Sequence, residues 1–116
     1  MSTLTPAQAK QEIDSVLLAA RADDARNIEI IVRPSLAVVR FSHEEWTKVF
    51  VEWTHDHAQQ VMAHFFLDLE KTVGGRDQSR PEEGLLNRGS DDEIGIRARV
   101  TTVPQPEGFD VIINLL

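Results

Sequence analysis

Glu52-Trp53-Thr54-His55 places a carboxylate and an imidazole three residues apart. In di-iron carboxylate bundles this spacing sets two metal ligands on one helical face. Such sites draw on a second copy of the motif and further glutamates, and this sequence has one copy. His57 and His64 share an apolar stripe with Trp46, Phe50 and Trp53 if the segment is helical, but they stand two turns apart, roughly 10 Å along an axis. One ion cannot bridge them from a single helix. His64 and Asp68 are one turn apart and within reach of a common ligand, although a histidine on an apolar stripe is more often a hydrogen-bonded core residue. With no cysteine in the chain, a zinc site needs ligands from other elements that the sequence does not advertise. The expectation is no metal and no cofactor.

Nucleophilic catalysis has no support either. There is no Gly-x-Ser-x-Gly elbow, and Ser42 reads as a helix cap. Gly74-Gly75 follows its helix, whereas a phosphate-cradling loop precedes one. These absences argue against an enzyme. The charged side chains that do converge are arginines. If Ile94, Ile96 and Ala98 face a core, Arg97 and Arg99 project from the other side of the same strand. Arg33 lies on the face opposite Ile28, Ile30 and Val32, and Arg40 joins it if Ala37, Val39 and Phe41 point inward. Arg33, Arg40, Arg97 and Arg99 then form a binding face set among Ile31, Leu36, Val38 and Ile112. Arginine amid aliphatic surface suits recognition, while cross-strand pairing with Glu29 and Asp110 is the ordinary alternative.

The elements that position these groups begin with a helix from Pro6 to about Arg21. Thr5 caps it, Gln8 closes the box, and Ala9, Ile13, Val16, Leu17 and Ala20 form its buried stripe. Two β-rich runs, 28–33 and 36–41, flank Pro34-Ser35 as a hairpin. Ser42-His43-Glu44-Glu45 has the form of a capping box, and the apolar spacing predicts one long helix from Ser42 to Val73, a rod of roughly 46 Å. A domain of this length is about 35 Å across, so the rod overhangs unless a partner covers it. Trp46, Phe50 and Trp53 define one apolar direction on this helix; Val61, Met62, Phe65, Phe66 and Leu69 define another. Together they exceed the ~100° stripe that packing on a sheet requires. Trp46, Phe50, Trp53, Phe65 and Phe66 are therefore the expected interface.

Residues 76–93 are polar and charged, with Leu85-Leu86 as their one apolar point, and read as a mobile loop. Two strands close the chain: Ile94, Ile96, Ala98 and Val100 alternate with polar positions, and Phe109, Val111, Ile113 and Leu115 do the same after a proline-containing loop. The expected fold is a single α+β domain over residues 1–116. Its order is α-β-β-α-β-β, with a four-stranded antiparallel sheet and two helices on one face.

Nineteen acidic residues against twelve basic ones give −7 over 116 residues. That charge disfavours direct binding to nucleic acid or anionic membrane. No apolar run approaches ~20 residues, the N-terminal residues lack the pattern of a signal peptide, and the lack of cysteine fits a reducing compartment. A cytoplasmic protein is expected. In size, charge and helix-first order the chain resembles secretion chaperones in general style, though one strand and the last helix of that pattern are missing from the elements read here. The functional expectation is a non-enzymatic protein–protein interaction module acting as a homodimer: an adaptor, a chaperone, or an inhibitor of another protein, one variant being an acidic inhibitor from a mobile element. The alternative is a small domain that binds an anionic ligand through the sheet-face arginines, with His57 or His64 titrating.

Overall fold

The computed structural model describes residues 3–73, 81–89 and 93–116. Helix α1, Pro6–Ala22, starts as its sequence demands. Thr5 is extended, its hydroxyl accepts from the Gln8 N–H, and the Gln8 side chain accepts from the Thr5 N–H. These bonds satisfy donors that an uncapped first turn would leave free. Strands β1 (Asn27–Val32) and β2 (Ala37–His43) follow as a hairpin.

The expected long helix is then replaced by two elements. Strand β3, Trp46–Trp53, pairs antiparallel with β2, and helix α2 is 13 residues long, His55–Leu67. Six of the eight β3 residues are aromatic or β-branched (Trp46, Thr47, Val49, Phe50, Val51, Trp53), side chains that fit a pleated surface better than a helix. Ser42 is no cap; it lies in β2 opposite Asn27 and Thr47, and Glu44-Glu45 forms the tight turn between β2 and β3. The helical appearance has a specific cause. The β2–β3 register shifts between Val39 and Arg40, where Val39 faces Val51 and Arg40 faces Val49. Phe50 is thus the extra residue of a bulge, which resets the alternation of the strand. Trp46, Phe50 and Trp53 end on one side of a strand at spacings a helix would also give. The true cap of α2 is Thr54, whose Oγ1 accepts the His57 N–H at 3.1 Å.

Past α2 the chain adds β4 (Lys71–Val73), β5 (Glu83–Arg88), β6 (Ile96–Gln105) and β7 (Gly108–Leu115). The sheet has seven strands in the order β3-β2-β1-β7-β6-β5-β4, antiparallel throughout. This corrects the expected four strands and the α-β-β-α-β-β order: β3, β4 and β5 are the additions, and the second helix is short. Residues 83–88, read as loop, are a strand whose inward positions are Gly84, Leu86 and Arg88. The rest of the expected mobile segment is only partly described, because residues 76–80 and 90–92, like Gly74-Gly75, lie outside the described residues.

β6 runs further than expected because Pro104 costs it nothing. The Thr102 N–H points to the β5 side, where it donates to the Glu82 carbonyl. Pro104, two residues on, shares that orientation, but β5 pairs with β6 no further than Thr101. The missing N–H therefore removes no ladder bond. Gly108 is required at the β6–β7 turn, because a Cβ there would sit 2.0 Å from the Val32 carbonyl oxygen.

The core lies between the helices and one face of the sheet. It contains the expected α1 stripe, Val61, Met62, Phe65 and Phe66 of α2, and the inward positions Ile28, Ile30, Val39, Phe41, Leu86, Ala98, Val111 and Ile113. Each large side chain buried here contributes about 1.5–3 kcal/mol. Phe41 and Phe50 stack at 4.7 Å between ring centroids, and Trp53 meets His57 edge-on at 5.4 Å. A radius of gyration of 13.3 Å and extents of 31 × 30 × 30 Å leave no overhanging rod. No described helix is long and apolar enough to cross a membrane.

Candidate functional site

Period-two alternation gives the sheet two faces, and both helices pack on one. The other face carries Val49 of β3, Val38 and Arg40 of β2, Glu29 and Ile31 of β1, Asp110 and Ile112 of β7, Arg97, Arg99, Thr101 and Val103 of β6, and Glu83 and Leu85 of β5. Ile31, Val38, Val103 and Ile112 are half-buried by their neighbours, and Val49 is 58 % exposed. No described helix covers this face.

The four arginines divide into two kinds. Arg40 Nη2 donates to Glu29 Oε2 at 2.8 Å across β1 and β2. Arg33 Nη1 donates to the Val32 carbonyl at 2.9 Å and stands 2.8 Å from Asp110 Oδ1. That oxygen lacks hydrogen-bond geometry, so the Arg33–Asp110 contact is coulombic. The cross-strand pairing that competes with a binding role therefore holds for Arg33 and Arg40. Arg97 and Arg99 are exposed and form no ion pair among the described residues. Across from them stand Asn87 on β5 and Asn114 on β7. Of the charged side chains described on this face, the four arginines are matched by Glu29, Glu52, Glu83 and Asp110. The excess of −7 lies elsewhere on the chain.

The aromatic residues expected at an interface are on the helix side. Trp53, Phe65 and Phe66 are buried, Trp46 is half-buried, and Phe50, 41 % exposed, stacks on Phe41 at the β3 edge. The surplus apolar circumference that suggested a partner vanishes once residues 46–53 form a strand.

The histidines are also accounted for. His55 Nδ1 lies 2.8 Å from the Arg33 carbonyl, and Glu52 is on a different element, so the Glu-x-x-His pair does not converge. His57 Nε2 lies 3.2 Å from Glu12 Oε1, tying α2 to α1. Asp68, the proposed partner of His64, accepts instead from Arg88. Among the described residues no three His, Asp or Glu side chains gather as a metal site.

Sequence reasoning passed over Arg88. This β5 residue points into the helix side, is 5 % exposed, and holds Asp14 of α1 (Nε to Oδ1, 3.1 Å) and Asp68 after α2 (Nη2 to Oδ2, 2.9 Å), with Glu93 at 3.8 Å. Burial alone would lower its pKa, but the hydrogen bonds it donates to Asp68 and Asp14 and the charges of those carboxylates outweigh that, and the guanidinium is held above its ordinary value. The available signal was the alternation Gly84, Leu86, Arg88 against Leu85, Asn87.

Two shallow depressions mark the same end of the molecule. One, about 240 Å³, is lined by Arg21, Asp24, Arg26, Gly95, Ile96 and Leu115. The other, about 280 Å³, is lined by Glu70, Leu85, Asn87, Arg97 and Leu116. Arg21 donates to the Ile94 carbonyl and Arg26 pairs with Glu44, so the first holds no free cation from either. No protein-family model matches the chain and no curated protein matches it, so the functional reading rests on the uncovered face.

Proposed function

We propose that this chain is a non-enzymatic, cytoplasmic protein–protein interaction module whose working surface is the uncovered face of the sheet, and that it acts as a homodimer. One observation carries the reading: a chain of net charge −7 presents a broad face whose described charges balance and whose centre is aliphatic. Repulsion between acidic copies is weakest there, and Ile31, Val38, Val103 and Ile112 supply apolar area for burial. The face spans about 30 Å across the strands and about 20 Å along them, a footprint on the order of 600 Å². A standard interface buries roughly 800 Å² per partner, so the contact falls at the weaker end of specific association. An adaptor, a chaperone for a partner segment, or an inhibitor that covers another protein's surface would each use such a module.

The ligand-binding reading draws on the same arginines and has less support. Arg33 and Arg40 already hold carboxylates, and the depression beside Arg97 is also lined by Glu70, whose negative charge opposes an anion. Light scattering coupled to gel filtration tests the proposal. A species of twice 13.1 kDa at tens of micromolar, dissociating on dilution, is expected. A sharp monomer at millimolar concentration would remove the homodimer.

A further inference from the structure

The uncovered face is asymmetric in charge along one end of the strands. Arg99, Asn114, Asn27, Ser42 and Thr47 form one cross-strand row through β6, β7, β1, β2 and β3. Arg97 therefore stands at the same strand end as the β2–β3 turn, Glu44-Glu45. Among the described residues Arg97 and Arg99 have no carboxylate partner, Glu45 has no cationic one, and Glu44 meets Arg26 alone, in a pair that is largely exposed. β6 and the β2–β3 turn are separated by three to four strand spacings, about 17 Å. Midway between them lie β1 and β7, close to the middle of the sheet.

From this placement we infer that the partner on the uncovered face is a second copy related by a two-fold axis parallel to the strands, passing between β1 and β7. The inference rests on the interaction reading above. Such an axis preserves position along the strands and exchanges left for right. It carries Arg97 and Arg99 of one copy over the Glu44-Glu45 turn of the other, and symmetry repeats the contact. Ile31 and Ile112, on the two strands beside the axis, meet their counterparts, and Val38 meets Val103 of the other copy, which lies in the same cross-strand row, so that together they form the apolar centre. Two sheets packed this way lie face to face at ~10 Å with their strands roughly aligned, an arrangement sheets adopt readily. The partner's chemistry is then defined: an aliphatic centre with an acidic turn set about 17 Å from an arginine pair, which this chain itself supplies.

Charge exchange tests the orientation. Arg97→Glu with Arg99→Glu, and separately Glu44→Arg with Glu45→Arg, each bring like charges together at two symmetric places. Sedimentation velocity should show each variant weakened as a dimer by on the order of tenfold or more. An equimolar mixture of the two variants should restore opposite charges at both symmetric contacts and form a heterodimer tighter than either variant alone. Circular dichroism checks folding, and the glutamine pair Arg97→Gln with Arg99→Gln replaces the reversed one if that misfolds, with a smaller loss expected. Reversed variants that weaken yet show no heterodimer in the mixture overturn the orientation. A wild-type dimer indifferent to every one of these changes overturns the orientation and the choice of face together. A monomeric wild type overturns the second copy as partner while leaving the face free for a different protein.

Discussion

Arg88→Met removes a charge that three segments share while keeping most of the volume of the side chain. In the native fold the guanidinium is 5 % exposed and lies 3.1 Å from Asp14 and 2.9 Å from Asp68. Truncating one partner of a fully buried ion pair costs about 3–5 kcal/mol, because the remaining charge is left without compensation. Here the side chains of Asp14 and Asp68 keep 21 % and 42 % of their exposure, so water screens part of that loss. A destabilisation of about 2–3 kcal/mol follows from discounting the buried value. At this chain length a kilocalorie corresponds to roughly 4 °C, so the midpoint should fall by about 8–12 °C. Urea unfolding followed by circular dichroism gives the free energy directly. Arg26→Ala provides the control, since its pair with Glu44 is 61 % and 69 % exposed and should change stability by less than ~0.5 kcal/mol. Adding Asp14→Asn and Asp68→Asn to Arg88→Met should restore part of the loss by removing the stranded carboxylates. Because the pKa of Arg88 is raised in the fold, its contribution is fully present below the ordinary arginine value and is lost only in strong alkali; its own titration adds no slope at neutral pH. An Arg88→Met protein within 0.5 kcal/mol of wild type would refute the reasoning.

Three further outcomes follow from single contacts. Thr54→Ala removes the cap on the His57 N–H and should cost about 1 kcal/mol in urea unfolding, whereas a helix running from Ser42 would be insensitive to such a cap. Gly108→Ala places a methyl against the Val32 carbonyl and should destabilise on the order of 3 kcal/mol, measured the same way; a near-neutral result would mean the β6–β7 turn differs from that described. A chelator should leave the thermal midpoint unchanged, and a large drop restored by zinc would point to ligands beyond the described residues.

Local signals made about half of this architecture legible. Thr5, Pro6 and Gln8 announced α1, and the stripe from Ala9 to Ala20 is buried as its spacing required. The alternation in β1, β2, β6 and β7 gave the sheet its two faces and placed Arg97 and Arg99 on the outer one, because parity along a strand is set by the pleat. What escaped was non-local. Trp46, Phe50 and Trp53 mimic a helical stripe only because a bulge, fixed by the register against β2, inserts Phe50. Nothing within residues 42–53 announces that register. β5 was illegible for another reason: Arg88 at an inward position looks like surface until Asp14 and Asp68, from two different elements, are brought to it. The interface expected from Trp46, Phe50, Trp53, Phe65 and Phe66 depended on the long helix, and it lost its basis when that helix became a strand and a shorter helix.

The claim that the uncovered sheet face is the contact surface is tested most directly by methyl NMR on a half-labelled sample. Isotope-filtered spectra of a mixture of labelled and unlabelled chains report only contacts between copies. The account predicts intermolecular cross-peaks among the methyls of Ile31, Val38, Val103 and Ile112, and none from Ile13, Val16 or Leu17 in the core beneath α1. Intermolecular contacts confined to Val49 at the β3 edge, or to Leu18 and Leu67 on the helices, would contradict it.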